Sequence, residues 1–161
     1  TVLQGLPARF SGEWEEAARV FRSALDTFPD FTFARFQLAL VESALGHSSE
    51  AIDHFERSMP RLGLALVGAS LAYEYVRTGE MEKAHAIEEQ LHDLASKGYV
   101  AASTFALLAL GFGRKDECYE WLERCFEEHD DLLVTLRVEH HYRELAAEER
   151  FQHMLARLGL G

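Results

Sequence analysis

Two cysteines, eight histidines and many carboxylates are the side chains of this sequence that could do chemistry. Cys118 and Cys125 lie seven positions apart, so they would share one face of a helix. Metal-binding and redox cysteine pairs are usually separated by about two or three residues, not by six. Because a free cysteine packs like a small apolar side chain, the spacing favours a structural role for both thiols.

The densest group of potential metal ligands is the pair His140-His141 with Glu139 and Glu144. Adjacent histidines are expected to point to different sides of a helix, and no H-E-x-x-H or C-x-x-C motif completes a ligand set. The sequence therefore predicts a solvated segment here rather than a metal site. We expect no bound metal and no cofactor.

No catalytic motif accompanies these residues. The sequence has no G-x-S-x-G motif, no P-loop and no glycine-rich dinucleotide turn. Carboxylate pairs such as Glu15-Glu16 and Glu127-Glu128 recur at positions expected on outer helices, where they indicate solvated faces. The sequence therefore predicts a protein that is not an enzyme.

Composition and charge narrow the classes of protein and partner. The 161 residues, of which 48% are hydrophobic, suit one compact domain or a short repeat array, and only three prolines favour long helices. A formal net charge of −11 disfavours nucleic acid and anionic membrane as partners. Two cysteines are too few for a secreted disulfide scaffold, so we expect a cytoplasmic protein.

A regular ladder of glycines reveals an internal repeat. Gly12, Gly46, Gly79 and Gly113 are separated by 34, 33 and 34 positions. Five residues after each glycine comes a small residue: Ala17, Ala51, Ala84 and Cys118. Four residues later a large apolar residue follows in three cases (Phe21, Phe55 and Leu122), whereas the third repeat has Glu88 with Ile87 beside it. Each glycine is expected to end one helix in the left-handed conformation.

This pattern resembles the tetratricopeptide repeat, which has a period of about 34 residues and the motif W-x2-L-G-x2-Y, A-x3-F, P. The matching residues are Ala17, Phe21 and Pro29; Leu38, Ala39, Ala51 and Phe55; Leu71, Ala72, Tyr75 and Ala84; Phe105, Ala106, Cys118 and Leu122. The resemblance covers residues 1–129. Only the first repeat keeps the proline, and Pro7 lies within the first inner helix, which is therefore expected either to break there or to be cut short where the sequence begins.

The resemblance implies an all-α, right-handed superhelical solenoid of four helix-turn-helix repeats, with boundaries 1–30, 31–63, 64–97 and 98–129. Inner helices are expected over residues 2–10, 31–45, 65–77 and 100–111. Outer helices are expected over residues 13–27, 48–60, 80–96 and 115–128. Residues 130–161 are expected to form a C-terminal capping segment, with a short helix after Asp130-Asp131 and a last helix over 148–158.

In repeats of this type the inner helices line a concave groove that binds a partner. The resemblance places nine partner-binding residues there: Arg9, Phe10, Phe33, Phe36, Leu40, Tyr73, Arg77, Leu107 and Leu110. This set lacks the lysines and asparagines that clamp a peptide carboxylate. It predicts a largely apolar groove for an amphipathic helix or an aliphatic-aromatic peptide. The protein's own C-terminal segment, or a missing N-terminal region, would be alternative occupants.

The expected function is therefore a protein-interaction scaffold whose partner is a protein or peptide, and not a nucleic acid or a membrane. One alternative is a regulatory or homodimerising domain of a larger catalytic or DNA-binding protein. A second alternative is a metal-binding or enzymatic protein that uses the histidine-rich tail.

Overall fold

The structure, a computed structural model, describes residues 2–160. Those residues form ten α-helices and one 3₁₀ helix, with no strand in this range, which confirms the all-α prediction. The first eight helices follow one another as α1 (Val2–Ser11), α2 (Trp14–Thr27), α3 (Thr32–Leu45), α4 (Ser48–Leu62), α5 (Leu64–Thr78), α6 (Met81–Lys97), α7 (Ala102–Gly111) and α8 (Lys115–Glu128). The chain ends with α9 (Leu132–Thr135), the 3₁₀ helix (His140–Leu145) and α10 (Glu149–Arg157).

The glycine ladder ends helices as predicted. Gly46 and Gly79 have φ angles of 84° and 81°, in the left-handed region where a Cβ atom is strained. After α5, the N–H of Gly79 donates to the carbonyl of Val76 (3.1 Å) and the N–H of Glu80 to that of Tyr75 (2.8 Å). These bonds satisfy carbonyls that the end of a helix leaves open and turn the chain back for the next helix.

The predicted helix boundaries agree with the structure to within a few residues, with one correction. Helix α1 continues through Pro7 from Val2 to Ser11, so the predicted break is wrong. A proline removes a single backbone hydrogen bond, and a helix that packs well on its neighbour can keep its course through it. Pro60 is accommodated in the same way inside α4.

The small residues after each glycine lie where neighbouring helices meet. Ala17, Ala51, Ala84 and Cys118 are all fully buried, as are the large residues Phe21, Phe55 and Leu122. In the third pair Ile87 takes the buried position. Glu88 points to the surface side of the helix and pairs with Arg114 and His85. Because Ile87 fills the buried position, Glu88 can stand where the other repeats have a large apolar residue.

The fourth helix pair joins the third differently from the others. Consecutive helices pack on each other up to α6, but α7 packs on α5 as well as on α8. Gly111 allows this approach, since a Cβ atom there would lie 3.1 Å from the Cα atom of Tyr73. Contact with α6 depends on long side chains, as the ring of His92 stacks on Phe105 at 5.0 Å between centroids.

The C-terminal residues cover the end of the fourth pair. Phe151, Met154 and Leu155 on α10, at the position of the expected last helix, are buried in a core cluster with Leu110 and Leu122. Asp130 precedes α9 and accepts a hydrogen bond from the Leu132 N–H (2.9 Å). None of the helices in residues 2–160 is long and apolar enough to cross a lipid bilayer.

We expect Gly79→Ala to lower the free energy of unfolding by about 1 kcal/mol, because alanine pays a steric cost in the left-handed conformation. Gly98→Ala is the matched control. Both glycines have open space around them among the described residues, but Gly98 has an extended backbone (φ −173°) that any residue adopts. Urea unfolding monitored by circular dichroism measures both changes. Equal effects of the two substitutions would contradict the assigned helix end.

Candidate functional site

The most distinctive surface is the one formed by α1, α3, α5 and α7, which we call the inner face. Residues 139–145, which we call the docked segment, lie against it. The guanidinium of Arg9 on α1 donates to both carboxylate oxygens of Glu139 at 3.2 and 3.3 Å. The side chain of Arg143 donates to the carbonyl of Ala44 on α3 at 3.0 Å. These contacts tie the C-terminal part of the chain to its first and second helix pairs.

Two apolar anchors hold the docked segment in place. Tyr142 and Leu145 are fully buried in the core cluster around Leu110, Cys118 and Phe151. Burying side chains of this size contributes roughly 2 kcal/mol each. Because these anchors are fixed, the residues that precede them must also lie against the inner face.

A buried polar network follows from this placement. The hydroxyl of Ser43 on α3 donates to the carboxylate of Glu74 on α5, and it also lies 2.8 Å from Nε2 of His140. A serine hydroxyl has one proton, which here goes to the carboxylate, so its oxygen must accept from Nε2–H of His140. The neutral imidazole then carries its lone pair on Nδ1. This direction also differs from a nucleophile–base pair, in which histidine accepts the serine proton.

Both histidines are buried, so the prediction of a solvated segment is wrong. His140 and His141 are 5% and 3% exposed, and their ring centroids lie 3.7 Å apart rather than on opposite sides of a helix. The ring of His141 also packs edge-on against Tyr73 at 4.8 Å between centroids. Local sequence could not show this, because the burial is imposed by the anchors that follow.

Burial changes the acid–base behaviour of these imidazoles. Desolvation, followed by the charge of His141, lowers the pKa of His140 well below its usual value. Desolvation and the guanidinium charges of Arg9, Arg77 and Arg143 lower the pKa of His141 to about 3. Both side chains are therefore neutral near pH 7 and can act as electron-pair donors.

Several polar atoms on this face are buried and unsatisfied. Within residues 2–160, hydrogen-bond partners are lacking for Nδ1 of His140, Nε2 of His141 and Oε2 of Glu74. Nε of Arg9 is in the same situation among the described residues. Such atoms cost free energy in a folded protein, and their concentration at one place marks a candidate functional site.

Two clefts open on either side of the docked segment. The larger, of about 480 Å³, is polar and is lined by Ser43, Ala44, Leu45, Gly46, Tyr73, Arg77, His140, His141, Arg143 and Glu144. The smaller, of about 240 Å³, is mainly apolar and includes Leu40, Leu66, Ala69, Leu107, Leu132 and His141 in its lining. His141 thus reaches both clefts.

The structure distributes the nine predicted groove residues among several environments. Arg9 is buried in its ion pair with Glu139, and Phe10 lies under the Arg9 guanidinium at 4.4 Å. Phe36 and Leu110 are buried in core clusters. Four residues line the two clefts of the inner face, namely Tyr73, Arg77, Leu40 and Leu107. Part of the predicted groove therefore lies on the inner face, and the docked segment lies across it.

Phe33 lies apart from the other predicted groove residues. It is 41% exposed and borders a third cleft, of about 550 Å³, between α1, α2 and the start of α3. Phe28 and Phe31 line the same cleft and are also exposed. This apolar surface is separate from the docked segment.

Sequence reasoning missed Glu74, and it grouped Glu139 with the histidines without foreseeing that Glu139 pairs with Arg9. A charged residue inside a helix that is apolar nearly all round, as Glu74 is in α5, is a signal that could have found one of them. Glu139 gives no such signal, because its partner Arg9 lies 130 positions away in the chain.

The cysteines match their predicted packing role. Cys118 and Cys125 are fully buried, and desolvation raises the pKa of each thiol to about 12. The reactive thiolate is therefore scarce near pH 7.

No family model, curated protein or solved structure matched this chain in the three comparisons.

We expect Arg9→Met to lower the free energy of unfolding by about 3 kcal/mol, because it leaves the largely buried carboxylate of Glu139 without its partner. Arg19→Met is the matched control, since it breaks an exposed ion pair with Glu16 and should change stability little. Urea unfolding of both variants gives the comparison. Equal stability of Arg9→Met and wild type would show that the docked segment does not depend on this pair.

Acid should destabilise the folded protein. The folded-state pKa of both histidines lies below the unfolded value of about 6.5, so the unfolded chain binds more protons as pH falls. The stabilisation is complete above pH 6.5 or so and is lost from there towards the folded-state pKa. For His141 we expect about 1 kcal/mol of lost stability per pH unit between roughly pH 6 and 4, and protonation of His140 acts in the same direction.

Urea unfolding with a chelator present, at a series of pH values, tests this expectation. His141→Phe removes one titrating group and should give a smaller slope of stability against pH than wild type. Identical slopes would mean that His141 is not buried as a neutral imidazole.

Proposed function

We propose that this protein is a protein-interaction scaffold that binds a peptide or helix of a partner on its inner face. The observation that carries the proposal is that this face already holds a stretch of polypeptide, residues 139–145, beside an open apolar cleft. A surface that binds one segment through charged, aromatic and backbone contacts has the chemistry to bind another alongside it.

The smaller cleft is the proposed binding surface for the partner. Its walls come from α3, α5, α7 and the docked segment, and include Leu40, Ala69 and Leu107. Leu66 stands at its edge with 54% of its surface exposed. An apolar side chain of a partner placed here would bury leucine surface on several helices, which is typical of a binding hot spot.

The resemblance to tetratricopeptide repeats supports the same proposal. We propose that the helix pairs form a four-repeat superhelical array of this type, with the inner face as its concave side. Such arrays bind partners through inner-helix residues. The absence of a recognisable catalytic motif in the sequence is consistent with a binding role.

A peptide library displayed on phage tests the proposal. Peptides with aliphatic or aromatic anchors should be selected, and Leu66→Asp should weaken binding of a selected peptide roughly tenfold or more by placing a charge in the apolar cleft. Leu66 is largely exposed, so the substitution should leave the fold intact. Isothermal titration gives the affinities.

Met81→Asp is the matched control, since Met81 is 40% exposed at the start of α6, outside the inner face. It should bind the selected peptide as wild type does. Full binding by Leu66→Asp, or equal loss in both variants, would exclude the inner-face cleft as the binding surface.

A further inference from the structure

Three consecutive residues of the docked segment bring metal-binding atoms together. One ring nitrogen each of His140 and His141 and one carboxylate oxygen of Glu139 lie within 4.8 Å of one another. Both imidazoles are at least nine-tenths buried. Two imidazoles and one carboxylate are ligands that Zn²⁺ binds in proteins, with solvent or another molecule in the remaining position.

The hydrogen bonds leave these histidines with lone pairs available. Because Ser43 gives its proton to Glu74, it accepts one from Nε2 of His140, and Nδ1 of His140 keeps an unprotonated lone pair. That atom and Nε2 of His141 have no hydrogen-bond partner in the described part of the chain. A cation bound between the imidazoles would give such a lone pair a partner.

Surrounding side chains hold the ligands in fixed orientations. Ser43 fixes the tautomer and ring of His140, in the manner of the partners that commonly orient metal-binding histidines. Tyr73 packs against the ring of His141. Arg9 holds the Glu139 carboxylate through long hydrogen bonds of 3.2 and 3.3 Å, and each oxygen retains a further lone pair.

Two of the three guanidinium groups nearby have a carboxylate partner. Arg9 pairs with Glu139, and Arg77 lies 3.8 Å from Glu74. Arg143 is directed to the carbonyl of Ala44. The two clefts on either side of the docked segment reach His141, so an ion and a completing ligand have a path to the site.

We propose that Glu139, His140 and His141 form a binding site for one divalent transition-metal ion, with Zn²⁺ as the ion that fits this ligand set. Imidazole ligands favour Zn²⁺ over hard cations such as Mg²⁺, which prefer all-oxygen sites. All three ligands belong to the docked segment, so the ion fixes the conformation of that segment. One coordination position of the ion remains open towards the clefts. This site adjoins the partner-binding cleft proposed above, whose lining includes Glu139 and His141.

Isothermal titration of the chelator-treated full chain with Zn²⁺ tests the site. We expect one equivalent of Zn²⁺ to bind, a rise in melting temperature with zinc, and no binding of Mg²⁺. Replacement of Zn²⁺ by Co²⁺ should give the visible absorption bands of a four- or five-coordinate ion with nitrogen and oxygen ligands. Absence of stoichiometric zinc binding by the wild-type chain would by itself overturn the proposal.

Variants identify the ligands. His141→Ala should abolish one-equivalent binding, and Ser43→Ala should weaken it about 10- to 100-fold by releasing the His140 ring. His85→Ala is the matched control, because His85 also lies beside a carboxylate, at 3.2 Å from Glu88, but on the exposed side of α6. Wild-type affinity in His141→Ala, or an equal loss in His85→Ala, would contradict the assignment.

Circular dichroism shows whether each variant is folded. If His141→Ala does not fold, Ser43→Ala and the wild-type cobalt spectrum decide the question, since cobalt bands that lack imidazole coordination would contradict the proposal. Leu66→Asp, which replaces a cleft residue that is not one of the three proposed ligands, should still bind one equivalent of zinc. Its zinc binding therefore separates a failure of the metal site from a failure of the peptide-binding proposal.

Discussion

Burial of Tyr142 and Leu145 in the core of the fourth helix pair is the constraint on which the inner face depends. These two side chains hold the three residues directly before Tyr142 next to the inner face, whereas Val138 remains exposed. Glu139, His140 and His141 are carried onto the surfaces of α1, α3 and α5, where polar atoms lose their contact with water. The apolar contribution of the anchors offsets the cost of burying these polar groups.

Hydrogen bonds and ion pairs of the polar network on the inner face offset part of the free-energy cost of burying these groups. Ion pairs and directed hydrogen bonds satisfy Glu139, Ser43 and one nitrogen of His140, while the second nitrogen of His140 and the Glu74 Oε2 atom lack partners among residues 2–160. A network that is only partly satisfied costs stability in its resting form. A bound cation or a ligand in the adjacent cleft would recover part of that free energy. The same unsatisfied atoms therefore lower the stability of the unliganded fold and favour binding at the proposed sites.

The join between the third and fourth helix pairs shapes the same face. Gly111 lets α7 approach α5 beside Tyr73, and this contact fixes the side chain that packs on His141. Stacked rings of His92, Phe105 and Trp121 fill the wider space towards α6 and α8. The departure from uniform packing thus occurs where the docked segment needs support.

The sequence by itself determined the all-α class, the helix boundaries and the buried small residues, because helix ends and helix faces are set by local chemistry. The left-handed glycines, such as Gly79, repeat with a period that can be read directly from the chain. Only the tertiary structure decided that His140 and His141 are buried and that Arg9 pairs with Glu139, 130 positions away. Such contacts depend on where distant segments meet, and that is fixed by packing of the whole chain rather than by the residues next to them.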